Sequence, residues 1–295
     1  MSPPPTPPWL DALAALEAAG DLDALELGPL WHLRDRAALA RQKAGAAAPT
    51  PELAPRFEAL ASRQREVQQA VERAVAKLRD RFRSKELSPR AFREHWQSLG
   101  YAPNPDGQGT AADDLLDGAI GLSRATDYPL PSFGTMLNVP TPAAQLADFL
   151  AIAEPTASDV IFDIGSGSGK FAVCAAASCE AQVCGIELYP AYVAAAQKAA
   201  GALGLDNARF IEADVRTCDL SKGTHFYLYH PFYGDIAREV AQLLGQLARQ
   251  RPITIYSVGP TALFGDFLLA EEKAGALKLV HMRGEGRTLV LRSAA

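Results

Sequence analysis

Apolar positions along the chain follow two different periods, and the change from one to the other falls near residue 128. In "PELAPRFEALASRQREVQQAVERAVAKLRDRFRSKEL" (51 to 87), Phe57, Leu60, Val67, Ala70, Val71, Ala74, Val75, Leu78 and Phe82 recur at steps of three and four, which predicts one long amphipathic helix. "SPRAFREHWQSLG" (88 to 100) predicts a second helix, with Ser88 as N-cap, Pro89 at the first helical position and Gly100 as its stop. The whole of residues 1–100 is rich in Ala, Leu, Arg and Glu and has no β-branched runs; its first eight residues hold five prolines and read as a disordered tail. "YAPNPDGQGTAADD" (101 to 114) is dense in turn formers and reads as a linker, and "DDLLDGAIGLS" (113 to 123) as a short helix.

Beyond residue 128 short β-rich runs alternate with helical stretches. The runs are "DVIFDIG", "AQVCGIEL", "ARFIEAD", "HFYLYHPF" and "ITIYSVG"; between the first three lie "GKFAVCAAAS" and "YPAYVAAAQKAAGALG", and before the last lies "DIAREVAQLLGQLARQ". Strands alternating with helices predict βαβ units and a parallel sheet. A helix over 261 to 275 and then "LKLVHMRGEGRTLVLRS", two strands around a Gly-Glu-Gly turn, predict an antiparallel pair at the end.

Composition narrows the functional classes. A formal net charge of −5 and a pI of about 5.6 do not suit a chain built as a whole for nucleic acid or an anionic membrane. No run of 18 or more apolar residues suggests a membrane helix, and the N-terminus lacks the basic start of a signal peptide. The four cysteines, Cys174, Cys179, Cys184 and Cys218, form no CxxC and have no histidine cluster near them, so no metal site is expected. Reduced thiols and a cytoplasmic location follow as the expectation. One segment runs against the net charge: residues 56–93 carry eleven basic and five acidic side chains. That stripe reads first as a solvated helix face, and otherwise as a surface for an acidic partner or nucleic acid, or as part of a helical lid.

The chemistry concentrates after "VIFD". Gly165, Gly167 and Gly169 lead into a helix, and lacking a Cβ they permit a tight turn and let a ligand lie against the peptide groups. A dinucleotide fingerprint would need a glycine where Lys170 stands, and a pyrophosphate would be repelled by Asp163. Asp163 suits instead a nucleoside ligand that carries an amino group. Glu187, at the tip of the next strand, can take ribose hydroxyls, and Asp214, at the tip of the third, can accept a hydrogen bond from an exocyclic adenine amine. All of these residues fall at the carboxyl edge of one sheet, where open α/β sheets bind ligands.

On these residues the sequence resembles the class I S-adenosylmethionine-dependent methyltransferases over roughly residues 128 to 295. The resemblance implies an α/β fold with a seven-stranded Rossmann-like core and an antiparallel last strand, preceded by an α-helical N-terminal region. The expected division is a helical region at 1–100, a linker and short helix at 101–127, and the methyltransferase domain at 128–295. It implies that Asp163, Gly165, Gly167 and Gly169 hold the methionine part of S-adenosylmethionine, with Glu187 on the ribose and Asp214 on the adenine. "LNVPTPAAQLADFLAIAEPTASDVIFDIGSGSGK" further resembles the start of the core in lysine methyltransferases of the disruptor-of-telomeric-silencing (DOT) type and in enzymes that methylate the ATP-synthase c subunit. By that resemblance Thr141 bonds the cofactor carboxylate. Read from the residues alone, Thr141 is a helix N-cap and Pro142 the first helical residue.

The fourth strand, "THFYLYHPFYGD", carries the acceptor side. Enzymes acting on exocyclic amines of nucleic acid show Asp or Asn, then Pro-Pro and an aromatic, whereas here Tyr229, His230, Pro231 and Phe232 stand. Only the last proline and the aromatic match, and the asparagines of DOT-type enzymes are absent as well. Tyr227, Tyr229, Phe232 and Tyr233 could line a slot for an aliphatic amine, and His230 could take its proton near neutral pH. Tyr229, His230 and Phe232 are therefore the candidate catalytic residues. The acceptor is expected to be a protein lysine, with a small molecule next, a non-catalytic cofactor sensor third and nucleic acid last.

Overall fold

A computed structural model describes residues 8–45, 51–105, 109–121, 134–136, 138–284 and 287–294. The proline-rich start (1–7) and the tip of the last hairpin (Glu285 and Gly286) lie outside the described residues. The first part is helical: α1 (Pro8–Ala18), α2 (Leu27–Gly45), α3 (Ala54–Arg83), α4 (Pro89–Gln97) and α5 (Ala111–Ile120). The long amphipathic period produces α3, whose buried stripe runs through Leu60, Val67, Val71, Val75, Leu78 and Phe82. Ser88 caps α4 by accepting from the Ala91 amide at 3.2 Å. The stretch read as a linker is tied down instead. Pro103 bridges Thr110, and the buried Asn104 binds Asp114 and the Arg34 guanidinium, so the turn closes against α2 and α5 rather than spanning open solvent.

The second part is a seven-stranded sheet. Its elements are α6 (Ala143–Ala153), β1 (Val160–Ile164), α7 (Lys170–Ser178), β2 (Gln182–Glu187), α8 (Pro190–Leu203), β3 (Ala208–Glu212), β4 (His225–Tyr229), α9 (Gly234–Gln250), β5 (Thr254–Val258), α10 (Asp266–Lys273), β6 (Leu277–Arg283) and β7 (Thr288–Ser293). The strand order is β3-β2-β1-β4-β5-β7-β6; β7 runs antiparallel between β5 and β6, and the remaining neighbours are parallel. The order reverses direction between β1 and β4, which places a crevice outside their carboxyl ends. The helix read over 261 to 275 is a π-helical turn (Thr261–Gly265) that runs into α10.

Two apolar cores flank the sheet. On one side Phe162, Ile164, Leu228 and Ile255 pack with Val240 and Leu244 of α9 and Leu268 of α10. On the other, α6, α7 and α8 share one core with the N-terminal helices, from Trp9 and Trp31 through Phe92 and Trp96 to Tyr227. Trp96 of α4 donates its indole N–H to the Ser178 hydroxyl of α7 at 3.2 Å. The N-terminal helices therefore form a third layer on the α7–α8 face. Among the described residues no helix is long and apolar enough to cross a membrane.

Candidate active site

The switch point between β1 and β4 opens into a cleft of about 920 Å³ of empty space, part of it open to solvent. Its floor is the turn after β1. Gly165 and Ser166 donate their amides to the Ile186 carbonyl at 2.9 and 3.0 Å, which ties the turn to β2. Gly165, Gly167 and Gly169 adopt φ of +73°, +53° and +85°, a region that only glycine enters without strain. Gly165 and Gly167 line the cleft, while Gly169 stands behind it against Ala196 of α8 and the Phe210 ring. The three glycines thus make room for different neighbours: Gly165 for Pro231, Gly167 for the Asn138 side chain, and Gly169 for α8.

Asp163 is 3% exposed at the end of β1, and its Oδ2 has no hydrogen-bond partner. Burial, with the charge of Glu187 nearby, pushes its carboxyl up to about 8. A buried acceptor left open in a cleft wall is what an incoming ammonium would satisfy. Glu187, at the tip of β2, is already engaged. Its Oε2 accepts the Gly167 amide at 2.9 Å, and its Oε1 accepts the Leu188 and Tyr189 amides at 2.7 and 3.0 Å. It braces the glycine turn as well as facing the cleft, and a carboxylate has lone pairs left for hydroxyls. Asp214 lines the cleft too, gripped by the Arg216 guanidinium at 2.6 and 3.0 Å. That hydrogen-bonded pairing holds its carboxyl below the usual range, so it stays an acceptor.

Residues 134–136 and 138–141 close one side. Met136 donates its amide to the Pro231 carbonyl at 3.2 Å, and the Tyr233 amide donates to the Gly134 carbonyl at 2.9 Å. Thr141 lines the cleft and is buried, but it does not cap α6: the N-cap is Pro142, and helix starts at Ala143. The first helical amide, Ala143, is capped from a distance by Asp113 of α5 at 2.8 Å.

On the acceptor side Tyr229, His230 and Phe232 all line the cleft, and Tyr227 and Tyr233 do not. Tyr227 is fully buried and stacks on Phe171, with ring centroids 3.5 Å apart. A central parallel strand is covered on both faces, so alternation along β4 does not separate cleft from core. His230 leaves the strand at φ +49°, donating its amide to the Val258 carbonyl at 3.0 Å, and its ring packs over Gly259. A left-handed non-glycine residue before proline is a strained arrangement of the kind that clusters at functional sites. Burial and the charge of Arg287 lower its pKa, so the ring is neutral and able to accept a proton at pH 7.

Among the residues of the cleft that the sequence reading passed over are Lys170, Ser166 and Asn138. Lys170 was visible only as a missing glycine; in the structure it lines the cleft with its ammonium buried between Asp113 and Asp117. Ser166 keeps a buried hydroxyl without a partner. Asn138 reaches over Gly167 so closely that any Cβ there would meet its amide.

Residues 161–249 match the family described as a methyltransferase domain. The chain carries an S-adenosylmethionine-dependent methyltransferase domain. S-adenosylmethionine is the cofactor of this methyltransferase domain, and the open Asp163 oxygen and the Cβ-intolerant turn fit its amino-acid end. Among solved structures, an RNA methyltransferase from Salinibacter ruber with S-adenosyl-L-homocysteine is 24% identical over 52% of this chain and 92% of its own, with a TM-score of 0.40. A precorrin-6y C5,15-methyltransferase from Geobacter metallireducens GS-15 is 16% identical over 55% of this chain and 93% of its own, with a TM-score of 0.41. The magnesium protoporphyrin IX methyltransferase of Synechocystis PCC 6803 with bound SAM is 16% identical over 51% of this chain and 76% of its own, with a TM-score of 0.38. No curated protein matches the chain.

The basic stripe lies away from this methyltransferase cleft. Its dense end packs where β2 and β3 begin: Phe82, Lys85 and Leu87 share a crevice with Cys179, Glu180, Asp206 and Asn207, and Lys85 pairs with Asp206 at 3.4 Å. None of the described residues of the five N-terminal helices lines the cleft; those helices pack against α7 and α8 on one side of the sheet.

Proposed function

We propose that this methyltransferase acts on a protein lysine amine, as the DOT-type resemblance implies. The observation that carries the reading is the charge of the cleft. Its described walls hold three acids, Asp163 (which ionises only at about 8 while no cation is beside it), Glu187 and Asp214 (paired with Arg216), against one lysine, Lys170, which is already paired with two further carboxylates. Such a wall attracts a cationic amine and repels a phosphate backbone. The rim is apolar, with Met136, Val139 and Leu188 exposed, and so offers a surface to a peptide.

Bound in the cleft, the cofactor supplies an electrophilic methyl group on its sulfonium. Asp163 would hold the ammonium of its amino-acid end, Thr141 the carboxylate, Glu187 the ribose and Asp214 the adenine amine. The protein's remaining task is to deliver the acceptor in line and in its neutral form. Tyr229 and Phe232 would flank the aliphatic arm of the acceptor, and neutral His230 would take its proton. His230→Gln is expected to flatten the acid limb of the pH–rate profile, whose inflection in the native enzyme is displaced to the acid side of an ordinary histidine's by burial and Arg287, and to leave cofactor affinity within about twofold. An unchanged limb removes His230 as the base.

The acceptor class is tested with methyl-tritiated S-adenosylmethionine and an extract of the native organism, the products being divided by protease, nuclease and size filtration. Label in protease-sensitive, high-mass material is the expected outcome. Label that passes the filter assigns a small-molecule acceptor instead, and nuclease-sensitive label a nucleic acid; either overturns the lysine reading.

A further inference from the structure

The helical half meets a residue of the cleft wall, Lys170, through one buried cluster. Asp113, in the first turn of α5, accepts four hydrogen bonds. Its Oδ1 takes the Lys170 ammonium at 2.9 Å and the Ala143 amide at 2.8 Å; its Oδ2 takes the Thr110 amide and hydroxyl at 3.1 and 2.8 Å. Asp117, one turn further along α5, stands 2.9 Å from the same ammonium. The side chains of Lys170 and Asp113 are 6% and 8% exposed, so little solvent screens the pair.

The two partners of Asp113 Oδ1 come from the first residues of two different helices. Lys170 is the first residue of α7, directly after the glycine turn. Ala143 is the first residue of α6, directly after Thr141 and Pro142. Both Lys170 and Thr141 line the cleft, and the phenol of Tyr229 lies near enough to feel the charges of Asp113 and Lys170. One carboxylate oxygen from a separate helix thus joins the turn that would face the cofactor's amino-acid end to the turn that would face its carboxylate. A charge-assisted bond on each side makes that spacing stiff.

We propose that Asp113 is a positioning residue of the cofactor site: through Lys170 and the Ala143 amide it sets the gap between the glycine turn and the Thr141 turn, in which the amino-acid end of the cofactor lies. This rests on the cofactor placement given above. It assigns the helical half a part in cofactor binding although none of its described residues touches the cleft.

The test compares two ligands that share the nucleoside and differ in the amino-acid end. S-adenosylhomocysteine carries that end and 5′-methylthioadenosine lacks it. Affinities are measured by calorimetry for the native chain, Asp113→Asn, Lys170→Met and the double variant, well below each melting temperature. Asp113→Asn and Lys170→Met should each weaken S-adenosylhomocysteine by about tenfold or more while changing methylthioadenosine less than about twofold. The double variant should be no worse than the weaker single, because the two residues act as one unit. Lys170→Arg, which keeps the charge, should restore most of the affinity. Equal losses for both ligands would show a merely structural role and overturn the proposal, as would unchanged binding of S-adenosylhomocysteine. If Asp113→Asn does not fold, Lys170→Met and Lys170→Arg give the same comparison. A native chain that binds neither ligand would instead overturn the cofactor placement itself.

Discussion

Asp163→Asn is expected to weaken S-adenosylhomocysteine binding by roughly 100-fold, about 3 kcal/mol, because it strips the charge from a buried partner of an ammonium and keeps the shape. The same carboxyl gives the binding a pH signature. Empty, it ionises at about 8, since burial disfavours the anion. Beside an ammonium the anion is favoured, so the pKa in the complex falls. Binding at pH 7 then expels a proton that Asp163 still holds, about 0.9 per complex for a group that ionises at about 8. Below pH 8 affinity should rise with pH, approaching tenfold per unit. Above it affinity levels off, and it falls only where the ligand's α-amine, an amino acid's ammonium and more basic than a peptide N-terminus, loses its own charge. The optimum therefore lies at or above pH 8. In the empty chain the same shift works against folding. A carboxyl raised from 3.8 to about 8 costs stability progressively as pH climbs between those values, and bound cofactor offsets that cost. Calorimetry at pH 7 in two buffers of different ionisation enthalpy measures the proton. Binding by the native chain without proton release, or native-like affinity in Asp163→Asn, would sink this account of the site.

The parts of the site that could be read from the sequence are those fixed by neighbours along the chain. A strand that ends in Asp163 and runs into three glycines declares its turn locally, and Glu187 and Asp214 follow because the next two strands end at the same edge. What could not be read depends on docking between distant elements. Asp113 meets Lys170 across 57 residues and Ala143 across 30, and no local pattern marks either pairing. Thr141 looked like a cap because the cap came from α5 instead of the adjoining chain. Tyr227 looked like a cleft residue because alternation along a strand names a face and not what covers it. The left-handed turn at His230 was hidden by Pro231, which ordinarily pushes its predecessor into extended backbone.

Gly169→Ala should be the most damaging of the small substitutions, and it should act on folding more than on the ligand. At φ +85° an alanine pays about 1–2 kcal/mol for the left-handed backbone. Its Cβ would also collide with the Ala196 Cβ and stand 3.1 Å from both the Ala196 Cα and the Phe210 ring. Ala196 belongs to the interior of α8, so relief requires moving a helix, and overpacking of that kind adds about 1–3 kcal/mol. The sum, about 2–5 kcal/mol, corresponds to a melting temperature lower by roughly 10 °C. Gly201→Ala, in the same helix with nothing within 4 Å of the added Cβ, should instead hold or raise stability by up to about 1 kcal/mol. Gly167→Ala separates the other function of the turn. There the added Cβ meets only the side-chain amide of Asn138, which can swing aside into the cleft, so cofactor affinity should fall further than stability. Thermal unfolding and calorimetric affinity, measured on the three variants together, decide the division. A Gly169→Ala chain that melts within about 2 °C of the native one, or that loses affinity more than stability, would mean that all three glycines serve the ligand and that α8 packs on the turn with room to spare.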